Sequence, residues 1–224
     1  MKRRLTQEEI AERAAREFND GDYVNLGVGI PNLCASYIPH GMDVISHAEH
    51  GVLGYGPLLS QEDWGKGDFD YVDAGLQLFT PKPGMCFFDK ALSFDMIWGR
   101  HLDITVLGGV EVTGKGDLAN WTYGSIESGG IGGSMDLALG AKKVIIVMEH
   151  TTKGGAPKIV NKCKFPLTAK ECVNLIVSDL AVIEVSSEGL ILREVAPEWS
   201  VDEVQALTEP RMIIAEDLEV MNFK

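Results

Sequence analysis

Val144-Ile145-Ile146-Val147-Met148 is an unbroken apolar run, introduced by Lys142-Lys143. A strand with one wet face alternates apolar and polar residues; a run without alternation is buried on both faces. Ile104-Thr105-Val106-Leu107, closed by Gly108-Gly109, has the same character. Strands of this kind need helices on either side, and helix signals lie between them. The chain is therefore expected to be α/β, with a mostly parallel sheet covered by helices on both faces.

Thr6-Gln7-Glu8-Glu9 is a capping box, followed by Ile10, Ala14 and Phe18 at helical spacing and by the turn residues Asn19 to Asp22. Tyr23-Val24-Asn25-Leu26 reads as a strand entering Gly27-Val28-Gly29-Ile30-Pro31, the start of a βα unit with a helix over about 32–38. Val44-Ile45 is the next strand. Residues 61–70 read as a polar, aromatic surface loop, Pro81 to Gly84 as a turn, and 91–98 as a helix. Gly114 to Asp117 is a hairpin turn, with Leu118 to Trp121 returning from it. Ser134 opens a helix that Gly140 stops. Thr168-Ala169-Lys170-Glu171 and Ser200-Val201-Asp202-Glu203 are further capping boxes, which predict helices over about 169–177 and 201–207. Leu180 to Val185, Leu190 to Arg193 and Met212 to Ala215 read as strands.

No repeat, low-complexity tract or linker divides the 224 residues, so one domain spanning 1–224 is expected. The net charge of −13 argues against nucleic acid or an anionic membrane surface as partner. There is no stretch of about 18 apolar residues to cross a bilayer, and no apolar segment follows Lys2-Arg3-Arg4 to make a secretory signal. Cys34, Cys86, Cys163 and Cys172 form no Cys-x-x-Cys pair and read as the reduced thiols of a cytoplasmic protein.

Chemistry concentrates where strands end. After Val44-Ile45 come Ser46-His47-Ala48-Glu49-His50-Gly51-Val52-Leu53-Gly54-Tyr55-Gly56-Pro57, a lone carboxylate followed by Gly51, Gly54 and Gly56. A strand-end glutamate is ordinarily a solvated surface group, but these glycines leave little to shield it from a bulky reactant. Gly129-Gly130-Ile131-Gly132-Gly133 precedes the Ser134 helix. It is either a helix-start turn or a set of free amides able to hold an oxyanion. Glu49, Gly27–Gly29 and Gly108–Gly109 all follow predicted strands, so in a parallel sheet they would share the carboxyl edge where ligands gather. His47-Ala48-Glu49 has the His-x-Glu form of zinc deaminases, but the Cys-x-x-Cys that completes that site is missing, so no metal is expected. Gly27-x-Gly29 has no third glycine at 32, which argues against NAD.

Ala48-Glu49-His50-Gly51 resembles the active-site Ser-Glu-Asn-Gly of the family I CoA-transferases, beta-subunit type, with Ala and His in place of Ser and Asn. The resemblance continues in Asn25-Leu26-Gly27-Val28-Gly29-Ile30-Pro31 and Gly130-Ile131-Gly132-Gly133-Ser134-Met135-Asp136-Leu137. It runs on through Lys142 to Thr151, Lys162 to Thr168, Asp179 to Ile183 and Gly189-Leu190, covering roughly residues 5–215. The similarity is to the beta-type subunits of 3-oxoacid and acetoacetate/butyrate CoA-transferases.

The resemblance implies that fold, and CoA transfer from a short-chain acyl-CoA to a carboxylic acid. It makes Glu49 the nucleophile that becomes a glutamyl-CoA thioester. Gly132 and Gly133 would be oxyanion donors, and Asn25, Gly27, Gly29 and Gly51 would shape the oxyanion and substrate site. No cofactor is implied, coenzyme A being a substrate. An alpha subunit is the implied partner, in a heterodimer or α2β2 assembly. His50 in place of Asn implies a different acyl group or pH optimum. The lysine that the family often carries is missing from Ala74-Gly75-Leu76-Gln77, leaving Lys82 and Lys153 as candidate phosphate contacts. The alternatives are decarboxylation or hydrolysis of acyl-CoA, a non-catalytic subunit, and, more remotely, a sugar-phosphate isomerase.

Overall fold

A computed structural model describes residues 2–123 and 130–223. Thr6 caps α1 (Gln7–Ala15): its hydroxyl accepts the Glu9 N–H, and the Glu9 carboxylate accepts the Thr6 N–H. β1 (Tyr23–Leu26) leads into α2 (Ile30–Leu33) and a 3-10 turn (Cys34–Tyr37), so the helix expected over 32–38 starts earlier and tightens midway. β2 (Ile45–Ala48), β3 (Val52–Leu53) and β4 (Cys86–Phe87) follow, with a 3-10 turn at Gln61–Lys66. Next come α3 (Lys90–Trp98), β5 (Ile104–Gly108), β6 (Glu111–Thr113), β7 (Leu118–Ala119) and α4 (Ser134–Gly140). β8 (Lys143–Met148), β9 (Ile159–Val160), β10 (Leu175–Ser178), β11 (Ala181–Ser186), β12 (Gly189–Val195), α5 (Val201–Ala206) and β13 (Met212–Val220) complete the chain.

The main sheet has ten strands in the order β13-β12-β11-β10-β8-β5-β1-β2-β3-β4. Its heart, β2-β1-β5-β8-β10, is parallel; β3, β4 and β11 join it antiparallel. A second sheet, β7-β6-β9, packs over one face. The apolar run Val144 to Met148 lies in β8. Its Val144, Ile146 and Met148 meet Ile97 of α3 and Leu137 of α4, while Ile145 and Val147 meet Ile10 and Ala14 of α1. Helices therefore do cover both faces. Burying each of these large aliphatic side chains contributes roughly 1.5–3 kcal/mol. Among the described residues no helix is long and apolar enough to cross a membrane.

The helix expected over 169–177 does not form. Ala169 makes a bridge to Leu118, the Thr168 hydroxyl bonds Asn120, and Glu171 takes a positive φ of 47°. Leu175–Ser178 is the buried strand β10. The two other capping boxes are real, at Thr6/Glu9 and Ser200/Glu203.

Two histidines are sealed inside the fold. His150 lies 2.8 Å from the hydroxyls of both Ser178 and Thr208, tying the end of β8 to β10 and to the residues after α5. Burial pushes His47 and His150 each down to about 4. A base whose folded pKa lies below its unfolded value binds fewer protons when folded. Its contribution is therefore complete above about pH 6.5 and is lost as pH falls toward 4, up to a few kcal/mol per group. Burial raises the Asp73 carboxyl, which partly opposes this trend. Urea midpoints are expected to hold steady from pH 8 to 7 and to drop steeply between pH 6.5 and 4.5. A midpoint flat over that lower window would contradict burial of two neutral imidazoles.

Candidate active site

The parallel strands β2, β1 and β5 end at one edge, and the predicted residues lie along it. Glu49 follows β2, Gly27 follows β1, and Gly108 ends β5. The Glu49 side chain, partly buried, reaches the segment ahead of α4, where the Gly133 N–H donates to Oε1 at 3.3 Å. Gly133 has to be small. A Cβ there would stand 2.8 Å from the Glu49 carboxyl carbon, and one on Gly132 would stand 3.8 Å from Oε1. Gly129, the first glycine of this cluster in the sequence, lies outside the described residues.

Behind Glu49 the chain turns sharply. Gly51 donates to the Ala48 carbonyl at 3.0 Å and takes a φ of 119°. Its carbonyl accepts the Phe88 N–H at 3.0 Å, and a Cβ on Gly51 would collide with the Phe88 carbonyl. The turn is thus pinned against the segment entering α3. His50 is exposed, and its Nε2 donates to the Val72 carbonyl at 3.0 Å.

The other predicted residues spread outward from Glu49. Gly27 donates to Val106 at 2.9 Å and lines a groove of about 240 Å³ with Val28, Gly108, Gly109, Asn120 and Ser134. Ser134, which lines the groove, is the residue after Gly133. Gly29 stands at the start of α2 with a φ of 86°. Asn25 is sealed beneath the edge, 1% exposed, and its amide nitrogen bonds the His47 ring at 3.0 Å and the His47 carbonyl at 3.1 Å. Lys82 is paired with Asp43 at 2.6 Å. Sequence reasoning did not single out Asn120, which Thr168 holds by a 2.6 Å hydrogen bond. Nor did it find that His47 is buried. The available signal was polar residues inside three neighbouring strands, among them Asn25, His47 and Thr105, which the registers set side by side. No three His, Cys, Asp or Glu side chains among the described residues are placed to hold a metal ion.

This is an α/β protein with a carboxylate hydrogen-bonded to a backbone amide at the carboxyl edge of its parallel sheet, where such folds gather ligands. Comparison with known proteins agrees in kind. The coenzyme A transferase profile matches residues 7–207, and the chain belongs to that family. It is 43% identical to one of the subunits of 3-oxoadipate CoA-transferase from Acinetobacter baylyi, over 95% of its own length and 97% of that protein. It is 42% identical to the beta subunit of acetate CoA-transferase from Escherichia coli K12, over 95% of each chain. The crystal structure of an acyl-CoA transferase (YdiF) apoenzyme from Escherichia coli O157:H7 shares the fold, with a TM-score of 0.75 at 20% identity. That match covers 97% of this chain and 43% of the other.

Proposed function

We propose that this chain is the catalytic-glutamate subunit of a CoA-transferase that exchanges CoA between a short-chain acyl-CoA and a carboxylic, 3-oxo acid. The observation that carries the reading is the Glu49 carboxylate held at the sheet edge by the Gly133 amide. Glu49 attacks the thioester carbonyl, CoA thiolate leaves, and an acyl-glutamyl anhydride forms. The thiolate then attacks the glutamyl carbonyl, releasing the first acid and leaving a glutamyl-CoA thioester. A second acid reverses the sequence and departs as the new acyl-CoA. Covalent catalysis of this kind divides one difficult exchange into easier steps. The amides of Gly132 and Gly133 meet the oxyanion, and each such donor typically lowers the barrier by about 3–4 kcal/mol. Coenzyme A is a substrate, and no other cofactor takes part. The free cysteines suit a cytoplasmic setting.

An alpha subunit completes this site. Relatives named as single subunits of larger CoA-transferases support such a partner. CoA carries several negative charges and the chain carries −13. Between residues 50 and 110 the cations are Lys66, Lys82, Lys90 and Arg100; Lys66 and Lys82 are paired with Asp63 and Asp43. Little positive potential is left to receive a polyanion. The polypeptide alone is expected to be inactive, and co-expression with an alpha subunit to give a heterodimer or α2β2 complex that transfers CoA across a panel of acyl-CoA donors and acid acceptors. Full transfer by the homogeneous single chain would refute the two-subunit reading. A complex that only hydrolyses or decarboxylates acyl-CoA would refute transfer itself.

A further inference from the structure

Glu49 and the amide that meets it lie on separate segments, the turn after β2 and the stretch before α4, 84 residues apart in sequence. Their mutual distance depends on what joins those segments. The Glu49 turn is fixed to the entrance of α3 by the bond from Phe88 to Gly51. Deeper in, His47 of β2 meets α3: its Nε2 lies 3.0 Å from the Ser93 hydroxyl, and both side chains are fully buried. At its far end α3 is tied to α4, where Trp98 Nε1 donates to Asp136 at 2.9 Å and the Ile97 backbone packs against Gly140. From α4 the path returns through Gly133 to Glu49. The circuit closes: Glu49, β2, His47, Ser93, α3, Trp98, Asp136, α4, Gly133.

The chemistry of the His47 ring follows from its partners. Asn25 is anchored by the Thr105 hydroxyl, which donates to Oδ1 at 3.3 Å, so the Asn25 amide N–H groups point at His47. Nδ1 therefore accepts, Nε2 carries the proton, and Ser93 Oγ accepts it. A second proton on the ring would put two donors face to face at Nδ1. The imidazole is thus fixed as one neutral tautomer with one orientation.

We propose that His47 is a positioning residue for Glu49, and that the Asn25–His47–Ser93 chain sets how the nucleophile meets the Gly133 amide. The proposal rests on the reading of Glu49 as nucleophile. It gives Asn25 a role in holding the imidazole.

Ser93→Ala breaks the His47 link of the circuit by removing one oxygen, in a helix that accepts alanine, and leaves the Phe88–Gly51 bond in place. Trp98→Phe breaks the Asp136 link on the opposite side and leaves the Ile97–Gly140 packing in place. In the active complex each variant is expected to lower kcat about tenfold with KM unchanged. The double variant should lose little more than the worse single one, because both open the same circuit. His47→Gln, which keeps a donor and an acceptor, should retain more activity than His47→Leu. In the full chain, NMR supplies a readout independent of turnover. Ser93→Ala and Trp98→Phe should both shift the Gly133 amide resonance, and the wild-type His47 nitrogens should show the neutral Nε2–H tautomer. An unmoved Gly133 resonance, or wild-type kcat in both single variants, would overturn the proposal. A wild-type complex unable to transfer CoA would instead overturn the functional reading, and the Gly133 resonance would still decide whether the circuit exists.

Discussion

Glu49→Gln is expected to abolish CoA transfer, lowering kcat by at least about 1,000-fold, as removal of a covalent nucleophile does elsewhere. The substitution isolates chemistry from structure. A glutamine oxygen can still accept the Gly133 N–H that Glu49 Oε1 accepts at 3.3 Å, so the local fold has no reason to change. What is lost is the charge that the proposed mechanism uses to attack the thioester. Glu49→Asp keeps the charge but withdraws it by one methylene from a site where about 1 Å of misplacement costs on the order of 100-fold. It should therefore be slow yet measurable. Steady-state kinetics of the complex, with thermal midpoints to confirm folding, checks both variants. Near-normal turnover by Glu49→Gln would remove the carboxylate from the mechanism.

Gly133→Ala is expected to lower kcat by about 100- to 1,000-fold, the range seen when an oxyanion donor is disturbed, while stability changes by about 1 kcal/mol or less. Gly133 has a φ of −89°, which any residue adopts, so the added methyl brings no backbone strain. It would instead sit 2.8 Å from the Glu49 carboxyl carbon and push the carboxylate off the Gly133 amide. Gly132 is a less clean target: its φ of 51° makes every substitution there strained, although a Cβ would meet nothing nearer than Glu49 Oε1 at 3.8 Å. Kinetics and calorimetry on one preparation separate the two effects. A Gly133→Ala enzyme that folds and turns over normally would mean that this approach to Glu49 does not matter.

The sheet and the edge that carries the site were legible because both depend on local patterns. Val144 to Met148 reads as a strand buried on both faces, and Glu49, Gly27 and Gly108 stand at the ends of parallel strands in the sheet. Local pattern failed where distant partners decide. Thr168-Ala169-Lys170-Glu171 has the letters of a capping box, but Leu118 and Asn120 claim Ala169 and Thr168, and the residues that follow belong to β10. The polar Ser46 and His47 make β2 look as if it ends at Ile45. It continues to Ala48 because Asn25 and Ser93 satisfy the buried imidazole, from 22 and 46 residues away. β3, β4 and β9 each have two residues, too few to show a period. The contact between Glu49 and Gly133 spans 84 residues, which no local periodicity can show; the resemblance implies only that both residues serve one site.

The proposed covalent step is most directly tested by trapping its thioester. The assembled complex would be mixed with an acyl-CoA donor, treated with borohydride to reduce any enzyme thioester, digested and mapped by mass spectrometry. The expected result is a donor-dependent reduction confined to Glu49, absent when the donor is omitted and absent in Glu49→Gln. Sustained transfer with Glu49 unmodified, or with the modification on another residue, would contradict it.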